Sequence, residues 1–138
     1  LNGDYTMTTK NDMLRELFLQ NGLVKGEDTH ELKFGSRGTT IITRTGIEKI
    51  QANNNITVKY DVEAMSPDFV VIRATAQKGN TIIETFGEAS PSNTKQTYPV
   101  AMAEKRALSR AVLKVAGFYK YGVFGEDESD DFKKKDAA

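Results

Sequence analysis

The chain has 138 residues, 28% of them charged and 38% apolar, which is room and composition for one domain around one modest core. It has no cysteine and a single histidine, His30, which excludes disulfides, thiolate metal sites, a Cys nucleophile and multi-histidine metal centres. Nineteen Lys and Arg balance nineteen Asp and Glu, but unevenly. Residues 95–125 carry six cations and one acid, while five of the six residues 126–131 are acidic.

No apolar run approaches the ~18 residues of a membrane span, and no charged-then-apolar leader is visible, so a soluble, cytoplasmic protein without a membrane partner is expected. Residues 1–8 are read as a tail. Thr9 to Asp12 has helix-start spacing, with Met13, Leu14, Leu17 and Phe18 at helical intervals and a stop at Asn21-Gly22. Glu31 to Phe34 and Thr39 to Thr43 suggest a hairpin across Gly35-Ser36-Arg37-Gly38. That loop resembles a phosphate cradle in composition only, lacking a Gly-Lys-Ser/Thr ending. Thr45-Gly46-Ile47-Glu48 has capping-box spacing for a second short helix that ends at Asn53 to Asn55.

The clearest β signal follows. Ile56, Val58, Tyr60, Val62 and Ala64 alternate with polar residues, Phe69 to Gln77 alternates again, and Thr81 to Glu88 returns after Lys78-Gly79-Asn80. Three antiparallel strands in a meander are predicted. Val70, Ile72, Ala74 and Ala76 would face the core. The opposite faces would carry Lys59, Phe69, Arg73 and Phe86, a mixture of cations and aromatics that can stack bases and hold phosphates, or a second apolar face covered by the N-terminal helices or a partner chain.

A long helix starts between Asn93 and Pro99 and stops at Gly117. Val100, Ala101, Leu108, Ala111, Val112 and Val115 fall on one broad face suited to the sheet. The polar face carries Lys95, Lys105, Arg106, Arg110 and Lys114. Arg106, Arg110 and Lys114 form a strip at i, i+4 and i+8, with Ala103 and Ala107 beside it, so that a backbone or a phosphate can approach closely. The alternatives are a solvated face or a contact with a neighbouring subunit. Glu104 falls within the apolar face and needs a partner there. Arg73 or Lys59 in an ion pair is one reading; a metal or acid/base role shared with Glu84 or Glu88 is the other. Tyr119 to Phe124 reads as an extended aromatic segment. Residues 126–138 are expected to be a disordered tail, solubilising, or able to dock a partner through Glu126 to Phe132, or to compete with DNA for the basic face.

The fold class is therefore α+β, residues 9–125 with a core at 56–125: a meander sheet of three or more strands, one long helix across it, and short helices before it. That order, with Gly87-Glu88-Ala89 leaving the third strand and Ala101-Met102-Ala103-Glu104-Lys105-Arg106-Ala107 leading to Ser109-Arg110-Ala111 and Gly117, resembles the β-β-β-α core of the single-strand annealing recombination proteins. That superfamily includes the phage Erf, Sak and Redβ types and the eukaryotic Rad-fifty-two mediator. The resemblance implies a phage or mobile-element recombination and repair protein that binds single-stranded DNA, anneals complementary strands without catalysis or cofactor, assembles as a ring or filament, and meets a recombinase or nuclease. It makes Arg73, Arg106, Arg110 and Lys114 backbone contacts, with Lys59, Lys95, Lys105 and Phe86 beside them. Other readings are an oligomeric interaction or structural subunit with the Ala-rich helix as its interface, and, last, a metal-dependent enzyme using Glu84, Glu88 and Glu104.

Overall fold

A computed structural model describes residues 9–34, 37–91 and 99–128. In chain order the elements are α1 (Lys10–Gln20), β1 (Thr29–Phe34), β2 (Arg37–Ile42), α2 (Arg44–Asn53), β3 (Thr57–Ser66), β4 (Phe69–Lys78), β5 (Thr81–Ala89), α3 (Pro99–Val115) and β6 (Phe124–Gly125), with single 3-10 turns at Tyr119–Tyr121 and Glu126–Glu128. The fold is α+β, with two three-stranded sheets ordered β1-β2-β6 and β3-β4-β5. No helix among the described residues is long and apolar enough to cross a membrane.

The predicted meander is present. β4 pairs antiparallel with β3 and with β5, and a register shift between Val62 and Ala64 puts a bulge in β3. The turn between β4 and β5 places Gly79 at φ +59°, a backbone conformation that a side chain would resist. Val70, Ile72, Ala74 and Ala76 are buried on one face of β4, as are Thr85, Gly87 and Ala89 on β5, and α3 covers these two strands.

α3 approaches closely because both surfaces are nearly bare. Ala103, Ala107 and Ala111 on α3 are fully buried, as are Ala74 and Ala76 on β4, and a Cβ on Gly87 would run into the Ala103 carbonyl and the Ala107 amide. The small residues beside the predicted basic strip therefore admit a backbone, and it is the protein's own. This turns the helix from its expected setting. Val100 is exposed and Ala101 half-buried, while Leu108, Ala111 and Val112 stay in the core. Glu104, expected within the apolar face, is exposed.

Around this pair the smaller elements close the core. Thr9 caps α1, its hydroxyl accepting from the Asp12 amide at 3.0 Å, and Phe18 stacks on the fully buried Phe118. The cap of α2 is Thr43, two residues before the expected Thr45, because the Thr43 hydroxyl accepts from the Gly46 amide and donates to the Glu27 carbonyl. Asp28 is buried and joins this corner, its carboxylate accepting from the Val24 amide at 2.8 Å and from Lys49 at 2.6 Å. The aromatic segment after α3 is a 3-10 turn, and only Phe124–Gly125 is a strand, paired parallel with β2.

Candidate nucleic-acid interface

The strip at 106, 110 and 114 is not a row of free cations. Arg106 is 3% exposed, and its Nη1 donates to the Glu88 carbonyl at 2.8 Å. Four residues on, Arg110 donates from Nη1 to the Phe86 carbonyl at 2.7 Å and to the Glu88 carboxylate at 3.1 Å, and from Nε to the Glu128 carboxylate at 2.7 Å. The spacing explains the match. Four residues of helix rise ~6 Å, two residues of strand ~6.7 Å, and alternate residues turn their carbonyls to the same side. β5 is the last strand of its sheet, so among the described residues one of its edges lacks a strand partner, and α3 caps it with guanidiniums. Burial opposes charge on Arg110, but Glu128 and Glu88 outweigh it and hold its pKa above the ordinary value.

The other helix cations are more available. Lys105 is half-buried, and Lys114 is exposed with its ammonium 5.3 Å from the centre of the Tyr119 ring. Lys95 lies outside the described residues. The acidic segment begins as an ordered turn: Glu126 accepts from the Arg44 amide at 2.7 Å, Asp127 from the Ser109 hydroxyl at 3.0 Å, and Glu128 binds Arg110. The disorder expected from residue 126 onward thus does not extend to Glu126–Glu128, because three acids meet three donors on α2 and α3. Residues 129–138 lie outside the described residues.

On the sheet face turned away from α3, Arg73 lies directly opposite Asp61 on β3 and Phe86 on β5. Three carboxylates surround it, Asp61 at 3.2 Å, Glu63 at 3.4 Å and Glu84 at 4.0 Å. The hydrogen bond to Asp61, then the charge of Glu63, raise its pKa further. Lys59 is exposed on the same face and has no ion pair among the described residues. With Glu88, two cations there meet four carboxylates, so the face is formally acidic. It is also apolar in patches: Phe69 is 46% and Phe86 49% exposed, and Ile82 is exposed. The N-terminal helices therefore do not cover this face.

Glu104 is absent from the partners of Arg73 and sits near Tyr60, whose phenol is raised by burial and by the Glu104 charge, partly offset by Arg44. Glu84 and Glu88 belong to the far side of the sheet. Among the described residues no three His, Cys, Asp or Glu side chains gather as a metal would need, so Glu84, Glu88 and Glu104 form no common site.

The sequence reading missed two things. One is the strand-capping role of Arg106 and Arg110, whose signal was their i, i+4 spacing beside alanines. The other is the clamp by Asp127 and Glu128, whose signal was an acidic run following a basic helix. Comparison with known proteins finds no matching family model, no matching curated protein and no matching solved structure.

Proposed function

We propose that this chain binds single-stranded DNA without chemistry, as a component of annealing-type recombination or repair, and that it does so on the outer face of β3-β4-β5. The observation that carries the reading is two half-exposed phenylalanines on one sheet face that no helix among the described residues covers, Phe86 directly opposite Arg73 and Phe69 four residues along β4. Base stacking on an aromatic contributes about 1–3 kcal/mol per base and tolerates any sequence. Bases held by their faces keep their pairing edges open, which strand annealing requires. Lys59 supplies a phosphate contact on this face, and Lys105 and Lys114 are the cations of α3 nearest to solvent.

The electrostatics revise the character of the binding. Affinity carried by phosphates falls steeply with salt because each neutralised phosphate releases counterions. Arg73, Arg106 and Arg110 already face carboxylates or carbonyls, so stacking carries the larger share and the salt slope is shallow. A labelled single-stranded oligonucleotide and its duplex, titrated at two salt concentrations, test this. Single-strand preference that Phe86→Ala removes supports it; equal binding of the duplex overturns it.

The second reading, a self-associating interaction subunit, is favoured by a different feature, the open edge of β3. In that reading the contact is not the Ala-rich face of α3, since Ala103, Ala107 and Ala111 are spent on the protein's own sheet.

A further inference from the structure

The two edges of the β3-β4-β5 sheet are finished differently. On β5, Arg106 and Arg110 donate to the carbonyls of Glu88 and Phe86, so another strand would have to displace two guanidiniums. β3 is the opposite edge, and among the described residues nothing pairs with its outer side. It also carries apolar side chains with no cover. Val58, Tyr60 and Val62 lie opposite Ala76, Ala74 and Ile72, on the face that α3 occupies further in, yet Tyr60 is 40%, Val62 56% and Met65 59% exposed. An open, apolar edge strand is a template for another strand.

We infer that β3 is a self-association edge, pairing antiparallel with β3 of a second copy about a two-fold axis centred on Tyr60. The charges choose both partner and register. Along Thr57 to Val62 the outward side chains are Thr57, Lys59 and Asp61, the last in the net-negative cluster with Arg73, Glu63 and Glu84. A two-fold axis through the sheet keeps each face on its own side, so the registers to compare are those centred on a single residue in the middle of the segment, Lys59, Tyr60 or Asp61. Centring on Lys59 sets the two lysines against each other, and centring on Asp61 sets aspartate against aspartate; like charges directly opposite destabilise a pair. Centring on Tyr60 puts Lys59 of each copy against Asp61 of the other. On the helix side it stacks Tyr60 on Tyr60 and packs Val58 against Val62. The unpaired lysine of one copy thereby meets the excess acid of the next.

The bulge after Val62 confines the contact to one short segment. An isologous edge of this kind closes at two copies, and a larger ring or filament would need another surface. Each copy contributes three strands, and the joined sheet would present both Phe86 side chains on one continuous face. The inference does not rest on the nucleic-acid reading, because association is measured with no nucleic acid present.

The chain has no cysteine, which makes the test direct. Tyr60→Cys in the full chain should form a disulfide-linked dimer under mild oxidation, since opposite residues in an antiparallel pair lie within disulfide reach. Ile82→Cys, on the opposite edge strand β5, should form no disulfide cross-link under the same conditions. Light scattering should find the unsubstituted protein dimeric and Lys59→Glu associating at least ~10-fold more weakly, with association restored by adding Asp61→Lys, since two cross-strand pairs change sign together. A monomer at all concentrations, or Ile82→Cys cross-linking as fast as Tyr60→Cys, would overturn the inference. So would an oligomer indifferent to Lys59→Glu. Thermal melts of each variant separate loss of the contact from loss of the fold.

Discussion

Arg106 shows how far a side chain's role can depart from its place in a helical pattern. Its charge marks it as a surface residue, but its neighbours Ala103 and Ala107 leave α3 so close to β5 that the guanidinium reaches the Glu88 carbonyl and is buried there. Arg106→Met should lower the unfolding free energy by about 1.5–3 kcal/mol in urea titration, because it removes a charge-assisted hydrogen bond to the part-buried Glu88 carbonyl. Arg106→Lys should rescue little of it, lacking the planar fork. Gly87→Ala should cost more than ~2 kcal/mol by the same assay, since the added methyl must lift α3 off the strand.

A separate residue contributes to the acid limb of stability. Burial disfavours the Asp28 carboxylate, but the Lys49 ammonium and the Val24 amide outweigh it and hold its pKa below the ordinary aspartate range. A folded-state pKa below the unfolded one gives stability that is complete above the unfolded value and is lost as pH falls through the folded one. Urea midpoints between about pH 7 and pH 3 should therefore fall less in Asp28→Asn than in the unsubstituted protein. At neutral pH the substitution should cost about 1–2 kcal/mol, the loss of a charge-assisted hydrogen bond whose Lys49 partner is left partly exposed.

At the scale of elements, the β3-β4-β5 meander and α3 were legible because each has an uninterrupted period, two residues for the strands and 3.6 for the helix. The rotation of α3 was not. A helix face is read from hydrophobicity, which favours Val100 over Ala103, but here the sheet beneath is Ala74, Ala76 and Gly87, and only small residues can meet it at that distance. The two remaining surprises have the same origin. Thr43 caps α2 through the Gly46 amide with its hydroxyl fixed by the Glu27 carbonyl sixteen residues away, and the 3-10 turn Glu126–Glu128 is held by donors on α2 and α3. Local sequence shows the acidic run but not the distant partners that fix either feature. That turn yields a prediction of its own. Glu128→Gln removes the closest carboxylate from Arg110, so unfolding should become easier by about 1–2 kcal/mol, while retention on immobilised heparin should increase as the guanidinium becomes available to an external anion.

For the whole molecule, the balance of charge decides what kind of binding surface remains. The candidate site was legible as a set of residue types but not as a set of neighbours. Arg73 and Phe86 do lie side by side, whereas Arg106 and Arg110 turn to the β5 edge and Glu104 stands apart on the other side of the sheet. Pairing of this sort is tertiary, and a net charge of zero cannot reveal which cations are already matched. Because the arginines are matched, the log-log salt dependence of single-strand binding should have a slope of about −1 or shallower, reflecting Lys59 as the free cation of that face.

The most direct measurement is fluorescence anisotropy of a labelled single strand titrated with the unsubstituted protein, with Phe86→Ala, and with Lys105→Ala/Lys114→Ala on α3. Binding through the open sheet predicts that Phe86→Ala weakens affinity about tenfold or more while the helix double variant stays within about twofold. Affinity lost with the two lysines and untouched by Phe86→Ala would return the interface to α3. Absence of binding by the unsubstituted protein at low salt would contradict the nucleic-acid reading altogether.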